Sequence, residues 1–257
     1  MSRIENAFKN GKAFIAFLTG GDPSLEKSEE FILAAEKAGA DLIEIGVPFS
    51  DPIAEGEVIQ AANIRALKNG TTMHDLFELV WRVRQKSEIP LVFLTYLNPI
   101  HHYGYGKFFA KCNEIGVDGI IIPDLPFEEQ AELKSEAEHY GVNLISLIAP
   151  TSKERVEKIA KESKGFLYIV SSMGVTGVRS EIDTDISAIV NDAKAVSKTP
   201  CAVGFGINTT EQAAKFAKIA DGVIVGSAIV RIIEEHRENA GKHIYEYVKQ
   251  MKEAIAF

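Results

Sequence analysis

The sequence predicts an α/β protein of the (β/α)8 or TIM-barrel type, and three observations carry that expectation. Eight short apolar runs recur along the 257 residues. They are apolar throughout rather than alternating, as strands covered on both faces are. Amphipathic helical stretches lie between them, for example residues 26–40, 128–141 and 209–220, giving parallel strands their crossovers. One junction from helix end to strand start also recurs, as "AGADLIE" (38–44), "IGVDGII" (115–121) and "IADGVIV" (219–225). Eight such units in about 250 residues match a closed barrel. A doubly wound open sheet is the rival, but even spacing favours closure. No linker or low-complexity segment interrupts the chain, so residues 1–257 are expected to form a single domain.

The strands are expected in order as follows. "AFIAFL" (13–18) is an uninterrupted apolar run, and "DLIEIG" (41–46) opens on Asp and stops at Gly. "PLVFLTY" (90–96) is fixed at its start by Pro, and "DGIIIPD" (118–124) is bounded by Asp on both sides. "VNLISLIAP" (142–150) ends at Pro, and "FLYIVSS" (166–172) runs into small polar residues. "CAVGFG" (201–206) and "DGVIVGS" (221–227) both end in glycine-rich turns.

Hydrophobic residues make up 46% and charged residues 25%, as in an ordinary globular protein. A net charge of -8 without any basic run argues against nucleic acid as the main partner. Cys112 and Cys201 have neither metal nor redox spacing, which points to a reduced, cytoplasmic setting. The N-terminus lacks a signal-peptide core, and no apolar run is long enough to cross a membrane.

Glu44 stands inside the second apolar run, where an unpaired charge costs several kcal/mol. An edge strand with Glu44 in water is one explanation, and a structural ion pair is another. In a barrel, alternation puts Ile43 and Ile45 against the helices and Leu42, Glu44 and Gly46 in the lumen. Glu44 then lies near the C-terminal end of its strand, where this fold keeps its catalytic groups. Glycine-rich turns after strands six, seven and eight, "MGVTG" (173–177), "GFGI" (204–207) and "GSAI" (226–229), suggest a phosphate cradle of backbone amides. "HHYGYG" (101–106) is read as exposed histidines on a loop after strand three, without the further ligands a metal needs. No metal site is expected. "EEHREN" (234–239) is read as a solvated helical face.

The strings "IEIGVPFSDPIAEG", "GVTG", "GFGI" and "GSAIV" together closely resemble the tryptophan synthase alpha subunits, over a span from "FLTGGDP" (17–23) to "GSAIV" (226–230). The resemblance implies a barrel lyase that splits indole-3-glycerol phosphate into indole and glyceraldehyde 3-phosphate. It implies no cofactor in this chain, and a pyridoxal-phosphate-dependent beta subunit as partner in an alpha2beta2 assembly. Glu44 matches the catalytic glutamate. Glu55 matches the family's second acid, an Asp, with one methylene more, and Glu57 replaces a common Pro. Phe17, Leu94, Tyr96, Ile121 and Phe205 match the apolar wall around the indole, and Tyr168 a tyrosine near the glutamate. Thr176 matches the residue that bonds the loop-two acid on closure, and Asp51 and Asp124 match acids that order that loop. Gly177, Gly204, Gly206, Gly226 and Ser227 match the phosphate cradle. A non-catalytic subunit that regulates its beta partner, and a free-standing indole-releasing lyase, are the competing readings.

Overall fold

The computed structural model describes residues 2–170, 186–204 and 206–257. Eight parallel strands close into a barrel in chain order, the last pairing back onto the first. They are β1 (Ala13–Thr19), β2 (Leu42–Gly46), β3 (Leu91–Leu94), β4 (Gly119–Ile121), β5 (Asn143–Ile148), β6 (Leu167–Val170), β7 (Cys201–Gly204) and β8 (Gly222–Val225). Seven of the eight expected runs contain their strands, and β1 extends one residue past its run to Thr19; several strands are shorter than their runs because the ends of the runs serve the loops. Tyr96, at the end of the third run, leaves the sheet to become the N-cap of the helix Leu97–Tyr103. Asp124, at the end of the fourth, accepts the Leu97 N–H at 2.9 Å and ties the loops after β3 and β4 together.

Strand alternation separates two apolar layers. Ile43, Ile45, Leu91, Phe93 and Ile120 point outward and pack with the helices in one large cluster. Ile15, Leu42, Val92, Ile121, Ile145, Ala202 and Ile224 fill the lumen. Ile4 of the helix Arg3–Ala7, fully buried, joins that lumen cluster near the start of β4 and closes the N-terminal mouth. Its helix is held by a reciprocal cap between Ser2 and Glu5.

The recurring junction has one physical explanation at all three sites. Asp41, Asp118 and Asp221 each open an even-numbered strand, and each accepts a backbone N–H from the strand before. The donors are Phe14 (2.7 Å), Leu91 (2.9 Å) and Cys201 (2.9 Å). Each Asp N–H donates in return to the carbonyl of the same residue. Each carboxylate also meets a cation carried on a helix or its end, Lys252 at 2.6 Å, Arg84 at 2.7 Å and Lys194 at 2.7 Å. The N-terminal rim is therefore stitched by paired charges.

Two sequence expectations change here. His101 and His102 lie within the helix Leu97–Tyr103 rather than on a loop. "EEHREN" is not wholly solvated, since Glu234 accepts from Arg65 at 2.9 Å. Arg65 also grips the buried carboxylate of Asp22 with two nitrogens, at 2.9 and 2.7 Å. Among the described residues no helix is long and apolar enough to cross a membrane. Cys112 and Cys201 are both buried free thiols.

Candidate active site

A cleft opens at the C-terminal ends of the strands. Glu44 stands in it, in register with Phe17 on β1 and Val92 on β3. A closed barrel has no edge, so the edge-strand explanation for Glu44 fails. The ion-pair explanation fails as well. Glu44 is 1% exposed, and neither carboxylate oxygen has a hydrogen-bond partner among the described residues. Burial without compensation pushes its carboxyl up to about 8.

The loop after β2 brings a second carboxylate to the same cleft. Glu55 is also buried, and its Oε2 accepts from Asn63 Nδ2 at 2.6 Å. Gln60 Nε2 donates to the Glu55 carbonyl at 2.7 Å and steadies the backbone. Burial raises the Glu55 carboxyl to about 7, with the Asn63 bond pulling the other way. Sequence reasoning missed Asn63. The signal was present, because Ile59, Ala62, Asn63 and Ala66 form the buried stripe of the helix Glu57–Lys68, and Asn63 is the polar member.

Phe17, Leu94 and Tyr168 line the cleft, with Ile59, Leu147 and Ile224 beside them. Missing side chains make the space. A Cβ on Gly46 would stand 2.6 Å from the Phe17 ring, and one on Gly204 would stand 2.5 Å from the Tyr168 hydroxyl. Gly204 thus has a packing reason of its own, besides the phosphate role its motif suggested. Its own burial holds the Tyr168 phenol well above its ordinary value, and the Glu44 charge adds to that.

Tyr96 and Ile121 lie outside the lining of this cleft. Ile121 is fully buried in the lumen cluster. Tyr96 is 1% exposed and supports the loop after β2. Its hydroxyl accepts the Ala54 N–H at 3.1 Å, and its ring stacks on Phe49 with centroids 5.0 Å apart.

At the far side of the cleft lie Gly206, Asn208, Gly226 and Ser227. Gly206 has φ +80°, a conformation glycine adopts without strain. Ser227 begins the helix Ser227–His236, so the positive end of that helix opens on the cleft. Asn208 was not anticipated. Asp51 is exposed and accepts from Ser50. Thr176, Gly177 and Phe205 lie outside the described residues. Among the described residues no group of three or more His, Cys, Asp or Glu side chains is arranged to hold a metal ion.

A parallel barrel with a largely apolar cleft at its strand C-termini, into which two buried carboxyls project, has the form of a barrel enzyme that acts on a small ligand. Comparison with known proteins makes this specific. The family model described as tryptophan synthase alpha chain matches residues 4–256. The alpha chain of Lacticaseibacillus casei is 46% identical, over 99% of this chain and 96% of that one. The alpha chain of Lactiplantibacillus plantarum is 47% identical, over 99% and 97%. The crystal structure of the Legionella pneumophila subunit alpha superposes with a TM-score of 0.89 at 36% identity, covering 99% of this chain and 98% of that one. A chain from the Pyrococcus furiosus tryptophan synthase α2β2 complex gives 0.87 at 38% identity, covering 94% and 98%. The chain belongs to the tryptophan synthase alpha chain family.

Proposed function

We propose that Glu44 and Glu55 carry the lyase reaction of this family here. Tryptophan synthase alpha chains cleave indole-3-glycerol phosphate to indole and glyceraldehyde 3-phosphate without a cofactor. The indole passes to the beta subunit, which holds the pyridoxal phosphate. The α2β2 assembly of the Pyrococcus furiosus neighbour supports the same assembly for this chain. Two buried free thiols fit a cytoplasmic setting.

The chemistry asks for a proton at indole C3 and for removal of the proton from the hydroxyl next to the ring. Glu44 suits both steps. Protonated at neutral pH, it gives its proton to C3, and positive charge develops at the indole nitrogen. The resulting carboxylate takes the hydroxyl proton as the carbon–carbon bond breaks and its electrons return to the ring. Glu44 ends the cycle protonated, as it began. Glu55, as a carboxylate near the indole N–H, stabilises the developing cation. Phe17, Leu94 and Tyr168 supply the flat apolar wall. Backbone amides at Gly206, Gly226 and Ser227, at a helix N-terminus, suit the phosphate.

The observation that carries the reading is a buried, uncompensated Glu44 at the catalytic end of the barrel. A barrel that only bound its partner would gain nothing from that cost. Glu44→Gln keeps the shape but cannot shuttle a proton, so cleavage should fall by at least ~10²-fold with substrate affinity kept within a small factor. Parental turnover in that variant would remove Glu44 from the mechanism.

A further inference from the structure

We propose that Asn63 is a positioning residue for the reaction. It fixes Glu55 so that one carboxylate oxygen is tied back to the helix and the other is presented to the cleft. This rests on the assignment of Glu55 to the indole N–H. Glu55 arrives on a loop, and a glutamate side chain in a cleft has three rotatable bonds with which to miss its target. Two contacts from one helix remove that freedom. Gln60 Nε2 holds the Glu55 carbonyl at 2.7 Å, and Asn63 Nδ2 holds Oε2 at 2.6 Å. The helix Glu57–Lys68 that carries both is itself anchored by Arg65 to Asp22 and to Glu234.

Asn63 is 2% exposed on a stripe otherwise made of Ile and Ala. A buried amide at that place has to be matched by a polar partner, and Glu55 provides the match. Asn63 acts on charge as well as position. Its N–H favours the ionised form of Glu55 against burial, which favours the neutral form. The other titratable groups near Glu55 are Glu44 and Tyr168 in the cleft and Tyr96 beneath the loop. None of these is a cation, so Asn63 is the group among the described residues that favours the ionised form of Glu55, offsetting part of its burial.

The test compares the parent, Asn63→Leu, Asn63→Ser, Glu55→Gln and the double variant Asn63→Leu/Glu55→Gln. The readouts are kcat and KM for indole-3-glycerol phosphate against pH, and the affinity for glycerol 3-phosphate. Asn63→Leu has a similar shape but no donor. It should lose up to about 10²-fold in kcat/KM at pH 7, mostly in kcat, the size expected when a reacting group is held about 1 Å out of place. The acid limb of its profile should move up by about one pH unit. Glycerol 3-phosphate affinity should stay within about twofold, because the phosphate end is untouched. Asn63→Ser retains a shorter donor and should fall between parent and Leu, which keeps the comparison readable if Leu impairs folding. In the Glu55→Gln background the Leu substitution should cost almost nothing further. Equal losses in both backgrounds, or an acid limb that stays put, would show that Asn63 only packs its helix and would overturn the proposal. Parental activity in Glu55→Gln alone would instead bring down the catalytic reading of Glu55, and the positioning role with it.

Discussion

The two ends of the barrel treat buried carboxylates in opposite ways. At the N-terminal rim, Asp118 has a 9% exposed side chain that meets Arg84 at 2.7 Å, Arg3 at 3.2 Å and the Leu91 N–H at 2.9 Å. At the C-terminal mouth Glu44 is more deeply buried and has no hydrogen-bond partner among the described residues. Both ends are built from the same repeating unit, so the fold does not force the difference. A paired charge holds strands in register. An unpaired one is held near its titration point and can exchange a proton. Glu55 lies between the extremes, since one neutral amide offsets part of its burial and leaves it able to ionise near neutrality.

The largest expected effect breaks the stabilising end. Arg84→Met removes the Asp118 pair and the bonds that Arg84 makes to the carbonyls of Gly116, Ser87 and Ile89. Losing one partner of a buried pair costs up to about 3–5 kcal/mol, and the Arg3 and Leu91 contacts that Asp118 keeps place the loss at the lower end. Urea or thermal unfolding should show a loss of that order, with turnover per folded molecule within about twofold of the parent. A loss of activity at full stability would erase the contrast between the two rims.

A subtler expectation sharpens the catalytic end. The proposed mechanism needs Glu55 ionised and Glu44 protonated. Both carboxyls are raised by burial, Glu55 to about 7 and Glu44 to about 8. The profile of kcat/KM should therefore rise as pH climbs through the first value and fall through the second, a narrow bell just above neutrality. The parent chain, assayed alone across pH 5–10, checks this. A plateau extending down to pH 5 would mean that Glu55 is not raised, and activity that falls steadily from pH 5 upward would mean that Glu44 is not.

Much of the architecture was legible in the sequence, because strands buried on both faces must be apolar at every position. Runs such as "AFIAFL" and "DGVIVGS" could hardly be anything else. Strand ends were less legible, since Tyr96 and Asp124 are spent on a helix cap and a loop tie that only the folded neighbours reveal. Glu44 was legible because a charge in an apolar strand is costly. Asn63 was not, because an amide on a helix is unremarkable until Glu55, eight residues earlier, is folded against it. The three junction aspartates showed as a repeat, but their cations come from Lys252, Arg84 and Lys194, remote or unmarked in the sequence.

The central claim is that the barrel leaves Glu44 uncompensated and so keeps it protonated at neutral pH. Its most direct test is a carbon-13 NMR titration of the ligand-free chain labelled at glutamate carboxyls, with the Glu44 signal assigned by its loss in Glu44→Gln. The account predicts a midpoint near the value of about 8 that burial imposes. A midpoint near the ordinary 4.5 would mean that Glu44 is already a carboxylate at neutral pH, and the contrast between the two ends of the barrel would not hold.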